Sequence, residues 1–194
     1  MIVGRAQGPY FTPEEYLEFE RLSPIKHEYR RGLVTAMAGV STAHILITRN
    51  LSIILFNHLR GDQCTSYGSD AKVQIPGRKG YYYPDQLVPC DAVDLSSNDG
   101  CVRHPMLIFE GLSDSTEAFD RKGKFDDYKT IPELEEYVLV DQHRMLVECF
   151  RRKGDFWVSE TYETGESVTF VSIRCTCEIE LVYEGAERFL MIES

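Results

Sequence analysis

Apolar residues recur at helical spacing in some stretches of the chain and gather into short runs in others, and the order of these patterns predicts the fold. Residues 1–11 read as a loose lead-in. Thr12-Pro13-Glu14-Glu15 then places an N-cap threonine before a proline at the first helical position, with a glutamate three residues after the cap. That capping box predicts a helix to about Leu22, ended by Ser23-Pro24. Lys26–Arg30 and Leu33–Ala38, joined through Arg31-Gly32, predict a β-hairpin. After Gly39, Ser41-Thr42 can cap a second helix, in which Ile47, Leu51, Ile54, Leu55 and Leu59 share one face and Gly61-Asp62 closes the end.

From Cys64 the pattern changes to short strands. Cys64–Tyr67, Ala71–Ile75 and Leu87–Val93, with a turn at Pro76-Gly77, predict a meander. Met106–Leu112 is an apolar run of strand length, buried on both faces but for one carboxylate, Glu110. Ser113–Glu117 is polar and can cap a helix to about Thr130, with Phe119, Phe125 and Tyr128 on its apolar face and Pro132 as its stop. Tyr137–Val140, Leu146–Arg151, Phe156–Thr161 and Ser167–Val171 read as further strands. Helices and strands do not alternate strictly. The expected class is therefore α/β of the mixed α+β kind: a mixed central sheet flanked by helices, with additional hairpins, in a single domain over residues 1–194.

Composition narrows the function classes. The 194 residues are 43% hydrophobic and carry a formal charge of −10, so a generic basic DNA-coating protein is excluded. A polyanion would have to be met by a local basic patch or through metal ions. Arg30-Arg31, Arg78-Lys79 and Arg151-Arg152-Lys153 are candidate patches, although each lies at a turn and reads more simply as solubilising surface. No apolar stretch approaches the roughly 18 residues of a membrane span, so a cytoplasmic protein without a membrane partner is expected. The six cysteines contain no CxxC pair, which argues against zinc and for buried, reduced thiols. Nucleophile-elbow, Walker, dinucleotide-binding and zinc-protease motifs are absent.

Candidate chemistry centres on two acids. Asp85 follows Tyr83-Pro84 at a strand entrance, and Glu110 lies inside a second strand. Carboxylates from neighbouring strands can hold a divalent cation that activates water against a phosphodiester. Asp85 alone would read as a turn cap after proline, and Glu110 could instead be a buried salt bridge. Lys124, in the following helix, could reach back to position water and stabilise developing charge. Lys122 is the other candidate, about 200° away around the helix, so only one of the two can face the acids. Asp120 could cap or salt-bridge within that helix. Tyr81-Tyr82-Tyr83 could stack on bases, but packing is the simpler reading.

These residues carry a resemblance. Glu28-Tyr29 before Gly32-Leu33-Val34, His44 opening a helix, Tyr67–Val73, Pro84-Asp85, Glu110–Thr116, Asp120, Lys124 and Glu136–Val140 together resemble the bacterial Uma family of restriction-endonuclease-like proteins, over residues 12–185 or so. The resemblance implies the nuclease superfamily whose signature is Pro-Asp, then Asp or Glu, any residue, Lys. Asp85 and Glu110 match its acids. Position 112 is Leu where the lysine would stand, and Lys124 matches the relocated lysine. Glu28 and His44 match further polar positions, while Gly111 and Asp114 depart from the usual valine and proline. The implied activity is a Mg²⁺- or Mn²⁺-dependent endonuclease acting on DNA. Asp85 and Glu110 would hold the metal, Lys124 would position the water, and Glu28 and His44 would complete the site. A homodimer would suit cutting of both strands. The rival expectation is a non-catalytic nucleic-acid-binding or assembly module that keeps the fold; a cleaving site requires Lys124 near both acids.

Overall fold

The computed structural model describes residues 10–190, so most of the lead-in, residues 1–9, lies outside the described residues. The capping box forms as its sequence requires. Glu15 N–H donates to Thr12 Oγ1 at 3.2 Å, Thr12 N–H donates to Glu15 Oε2 at 2.7 Å, and α1 spans Pro13–Leu22. Strands β1 (His27–Arg30) and β2 (Leu33–Ala36) make the hairpin. Its two-residue turn holds Arg31 at φ 49° and Gly32 at φ 95°, the paired positive angles whose twist matches the flanking strands. α2 (Thr42–His58) follows, with Ser41 Oγ accepting from His44 N–H at 3.1 Å.

The region expected to be a meander is instead divided between two sheets. It contains β3 (Tyr67–Gly68), β4 (Lys72–Gln74), β5 (Gly80–Tyr82), β6 (Gln86–Pro89), α3 (Ala92–Ser96) and β7 (Cys101–Val102). The strand predicted to reach Val93 stops at Pro89, because Asp91 N-caps α3 by accepting from Val93 N–H at 2.8 Å. β4, β5 and β7 join the hairpin in a five-stranded sheet ordered β2-β1-β5-β4-β7. β3 and β6 join β8 (Pro105–Leu112), β9 (Glu136–Asp141), β10 (Leu146–Lys153) and β11 (Phe156–Glu163) in a six-stranded sheet ordered β11-β10-β9-β8-β6-β3. Its β8–β9 pair is parallel and the other pairs are antiparallel, the mixed sheet that the element order predicts. β12 (Ser167–Phe170) and β13 (Cys175–Glu178) form a separate pair, followed by α6 (Ile179–Tyr183).

Both faces of the β8 region are covered, which is why its run is continuously apolar. Leu107 and Phe109 pack with Ile47, Leu51 and Leu55 of α2 and with α6. Ile108 and Leu112 pack on the opposite side with Phe125, Tyr128 and Ile131. The β8-to-β9 crossover supplies that second layer: α4 (Glu117–Phe119), a π-helical turn (Asp120–Lys124) and α5 (Phe125–Tyr128). The sequence predicts one uninterrupted helix here. The widened turn replaces it at Gly123, where a Cβ would lie 2.3 Å from the Phe119 ring, so the ring folds across space that only glycine leaves.

One cysteine expectation is overturned. Cys64 and Cys90 are disulfide-bonded, with Cα atoms 4.2 Å apart. The β3–β6 pairing brings them together: Thr65 N–H donates to the Pro89 carbonyl at 3.3 Å, carrying the two chains side by side just beyond the ladder. Cys101, Cys149 and Cys175 are free and buried, as expected, and Cys177 is free and half-buried. Titration of the denatured, unreduced protein with a thiol reagent should therefore count four thiols, rising to six after reduction. Six before reduction would contradict the bond.

Candidate active site

Antiparallel pairing of β6 with β8 sets Gln86 opposite Phe109. Asp85, one residue before Gln86, and Glu110, one residue after Phe109, come next in that antiparallel register, so the two acids emerge side by side. Side chains alternate across a strand, and this separates their surroundings. Glu110 shares the face of Ile108 and Leu112 and meets the crossover helix. Gly111 shares the opposite face and meets α2, where a Cβ would stand 2.8 Å from His44 Nδ1. The missing side chain lets the His44 ring lie over the strand, with Nε2 2.9 Å from Asp85 Oδ1. Gly111 N–H donates to Asp85 Oδ2 at 2.7 Å, so both oxygens of this carboxylate are oriented.

Lys124 is the hub on the other face. Its ammonium lies 2.9 Å from Glu28 Oε1, 3.1 Å from Glu110 Oε1 and 3.3 Å from Asp120 Oδ1, with the lysine only 5% exposed. Tyr128 adds a hydroxyl that donates to Glu110 Oε1 at 2.9 Å. Burial pushes the Glu110 carboxyl well above the usual range, with Lys124 opposing and Asp120, Asp85 and Glu28 reinforcing it. Burial works against the Lys124 charge, but Glu110, Glu28 and Asp120 outweigh it and hold the ammonium form. Burial also raises the Tyr128 hydroxyl, so it keeps the proton it donates.

All five residues singled out in the sequence, Glu28, His44, Asp85, Glu110 and Lys124, line one cleft of about 760 Å³. The hairpin and residues 36–41 wall one side, and residues 113–120 wall the other. Lys124 faces the acids and Lys122 is exposed, which resolves the choice between them. Asp120 pairs with Lys124 inside its helix and joins the cluster as well, 1% exposed and with Oδ1 lacking a hydrogen-bond partner. Asp120 and Tyr128 carried a faint signal, four-residue steps on either side of Lys124.

The arginines of the candidate basic patches are engaged elsewhere, while Lys79 and Lys153 are exposed. Arg30 and Arg31 pair with Asp127 at 2.8 and 2.7 Å, Arg78 pairs with Glu14, and Arg151 pairs with Glu136 and Glu160. Arg152 donates to the carbonyls of Lys129, Ile131 and Leu134. The three tyrosines are buried, with Tyr82 donating to Asp127 at 2.6 Å and Tyr83 to Glu20 at 2.8 Å, so packing is their role rather than base stacking.

The donor set suits a hard divalent cation. Three carboxylates, Glu28, Glu110 and Asp120, surround one ammonium, and a fourth, Asp85, lines the same cleft, so oxygen donors outnumber the cation. Among the described residues no three His, Cys, Asp or Glu side chains form a ready cage. Two carboxylates with water and substrate oxygens completing the shell are the habit of Mg²⁺.

The mixed six-stranded sheet with helices on its faces is a restriction-endonuclease-like fold. The chain belongs to the Uma2 family, described as "Putative restriction endonuclease", whose sequence model matches residues 13–177. It is similar to the uncharacterized protein slr1290 of Synechocystis sp. (strain ATCC 27184 / PCC 6803 / Kazusa), 36% identical over 181 residues that cover 93% of this chain and 95% of that protein. A second uncharacterized protein of the same strain, sll1609, is 37% identical over 145 residues, covering 74% and 82% respectively. The fold is shared with a crystal structure described as a "putative nuclease belonging to DUF820" from Anabaena variabilis ATCC 29413. The TM-score is 0.74 at 14% identity, over 91% of this chain and 99% of that one.

Removing the hub charge should expose the acid cluster. In metal-free buffer, Lys124→Met is expected to lower stability by about 3–5 kcal/mol near pH 8, the cost of an uncompensated buried ion. A carboxyl with a raised folded pKa stabilises below its ordinary value and loses that contribution as pH rises through the raised one. The deficit should therefore shrink toward pH 5 in urea unfolding; an equal deficit at both pH values would refute the charge account.

Proposed function

We propose that this protein is a metal-dependent nuclease that hydrolyses phosphodiester bonds in nucleic acid, with DNA as the strand cut. One observation carries the reading: Asp85 and Glu110 stand side by side in one cleft, with the Lys124 ammonium 3.1 Å from Glu110. Asp85 and Glu110 would hold Mg²⁺ or Mn²⁺, which when bound lowers the pKa of water and offsets phosphate charge. Lys124, kept protonated by its three carboxylates, presents positive charge where the phosphoryl oxygens gain negative charge. Glu28 fixes the ammonium from the hairpin side, and His44 orients Asp85 through Nε2–H. A homodimer would present two such sites, and sedimentation reads that directly.

The test is Mg²⁺- and Mn²⁺-dependent cleavage of supercoiled, linear and single-stranded DNA and of RNA. Asp85→Asn and Glu110→Gln, shown folded by circular dichroism, should abolish cutting. Lys124→Met should lower the rate by about 10²–10³-fold, the usual effect of losing one charge-stabilising donor. A wild-type protein that neither cuts nor binds metal by calorimetry would instead support the non-catalytic module.

A further inference from the structure

A second groove of about 740 Å³ opens beside the cleft and shares His44, Asp85 and Tyr83 with it. One side is a face of α2. His44, Thr48 and Ser52 recur at four-residue steps, with Ile45 and Arg49 one position further round. Gln86 Nε2 donates to Ser52 Oγ at 2.6 Å, joining this helix face to the strand that follows Asp85. The groove is therefore continuous with the candidate site through the residues that orient its first acid.

Its chemistry has two parts. Arg49 is exposed, and its guanidinium donates to Asn50 Oδ1 at 2.8 Å while pairing with no carboxylate among the described residues. The acids nearby are already engaged: Asp85 by His44 and Gly111 N–H, Glu20 by Tyr83 and His27, and Asp70 by Lys26. Arg49 is thus the uncompensated cation of the groove. Ile25, Val40 and Ile45 line the same groove and supply its apolar shelf, exposed by 56%, 55% and 53%. An apolar shelf next to a free guanidinium fits a base with its own phosphate. The volume lies within the roughly 300–1,000 Å³ of small-ligand pockets, room for one or two nucleotides. A paired duplex keeps its bases stacked inward and offers none to the shelf.

We propose that this groove is a subsite for an unpaired nucleotide of a single nucleic-acid strand, flanking the bond that the main cleft would cut. Its base lies on Ile25, Val40 and Ile45, and its phosphate meets Arg49. The proposal rests on the nuclease reading and adds strand state to it: the substrate is single-stranded, or opened, beside the scissile bond.

The experiment is fluorescence anisotropy with a short labelled DNA oligonucleotide, as a single strand and as its duplex, in Ca²⁺ at several salt concentrations. The single strand should bind more tightly than the duplex. Arg49→Glu should weaken single-strand binding by about tenfold or more and reduce the salt slope by about one or more. Ile45→Asp should weaken binding too, and Arg174→Glu, outside the groove, should leave it unchanged. Arg49→Gln, with a smaller change in charge, should fall between wild type and Arg49→Glu. Cleavage or binding by wild type with no effect of Arg49→Glu or Ile45→Asp, or tighter binding of the duplex, would overturn the subsite and leave the nuclease reading intact. No binding of any nucleic acid, with no uptake of divalent cation in calorimetry, would overturn both.

Discussion

A carboxylate in the middle of a sheet has to be compensated, and Glu110 is 4% exposed on a strand whose neighbours are Leu107, Ile108, Phe109 and Leu112. An isolated charge there would cost several kcal/mol. The chain meets that demand from the crossover helix. The crossover helix brings Lys124 and Tyr128, and the hairpin brings Glu28 against the same ammonium. Asp120 and Lys124, the first and last residues of the π-helical turn, bring their side chains to the same point.

The alternation of side chains along β8 divides the work between layers. Glu110 looks toward the crossover helix, and Gly111, one residue on, makes room for a histidine from α2. Asp85 is consequently held by α2 and by β8 backbone, while Glu110 is held by the crossover. The two acids share a cleft yet have different supporting shells, which is how one site can combine an oriented carboxylate with a buried ion pair.

The protein's cations are mostly committed to internal partners. Arg30, Arg31 and Tyr82 converge on Asp127, tying the hairpin to α5, and Arg152 closes three carbonyls at the end of the same segment. These contacts hold the walls of the cleft in place. Were such an acidic chain to meet a polyanion, the position of each free cation would matter more than the net charge of −10.

Much of this was legible in the chain. The capping box at Thr12, the hairpin around Arg31-Gly32, the spacing of Ile47, Leu51 and Leu55, and the isolated acid in the run 106–112 each state a local preference that the fold keeps. Such signals survive because they depend on residues within one or two turns of each other. The Cys64–Cys90 bond, the division of strands between two sheets, the fate of the arginine runs and the gathering of Asp120 and Tyr128 around Lys124 do not. They depend on strand order and on which face meets which helix, contacts spanning tens of residues. The sequence determined which elements form and which side chains carry charge. Tertiary packing decided which of those charges meet, because burial, unlike propensity, belongs to the assembled layers and to no single stretch of chain.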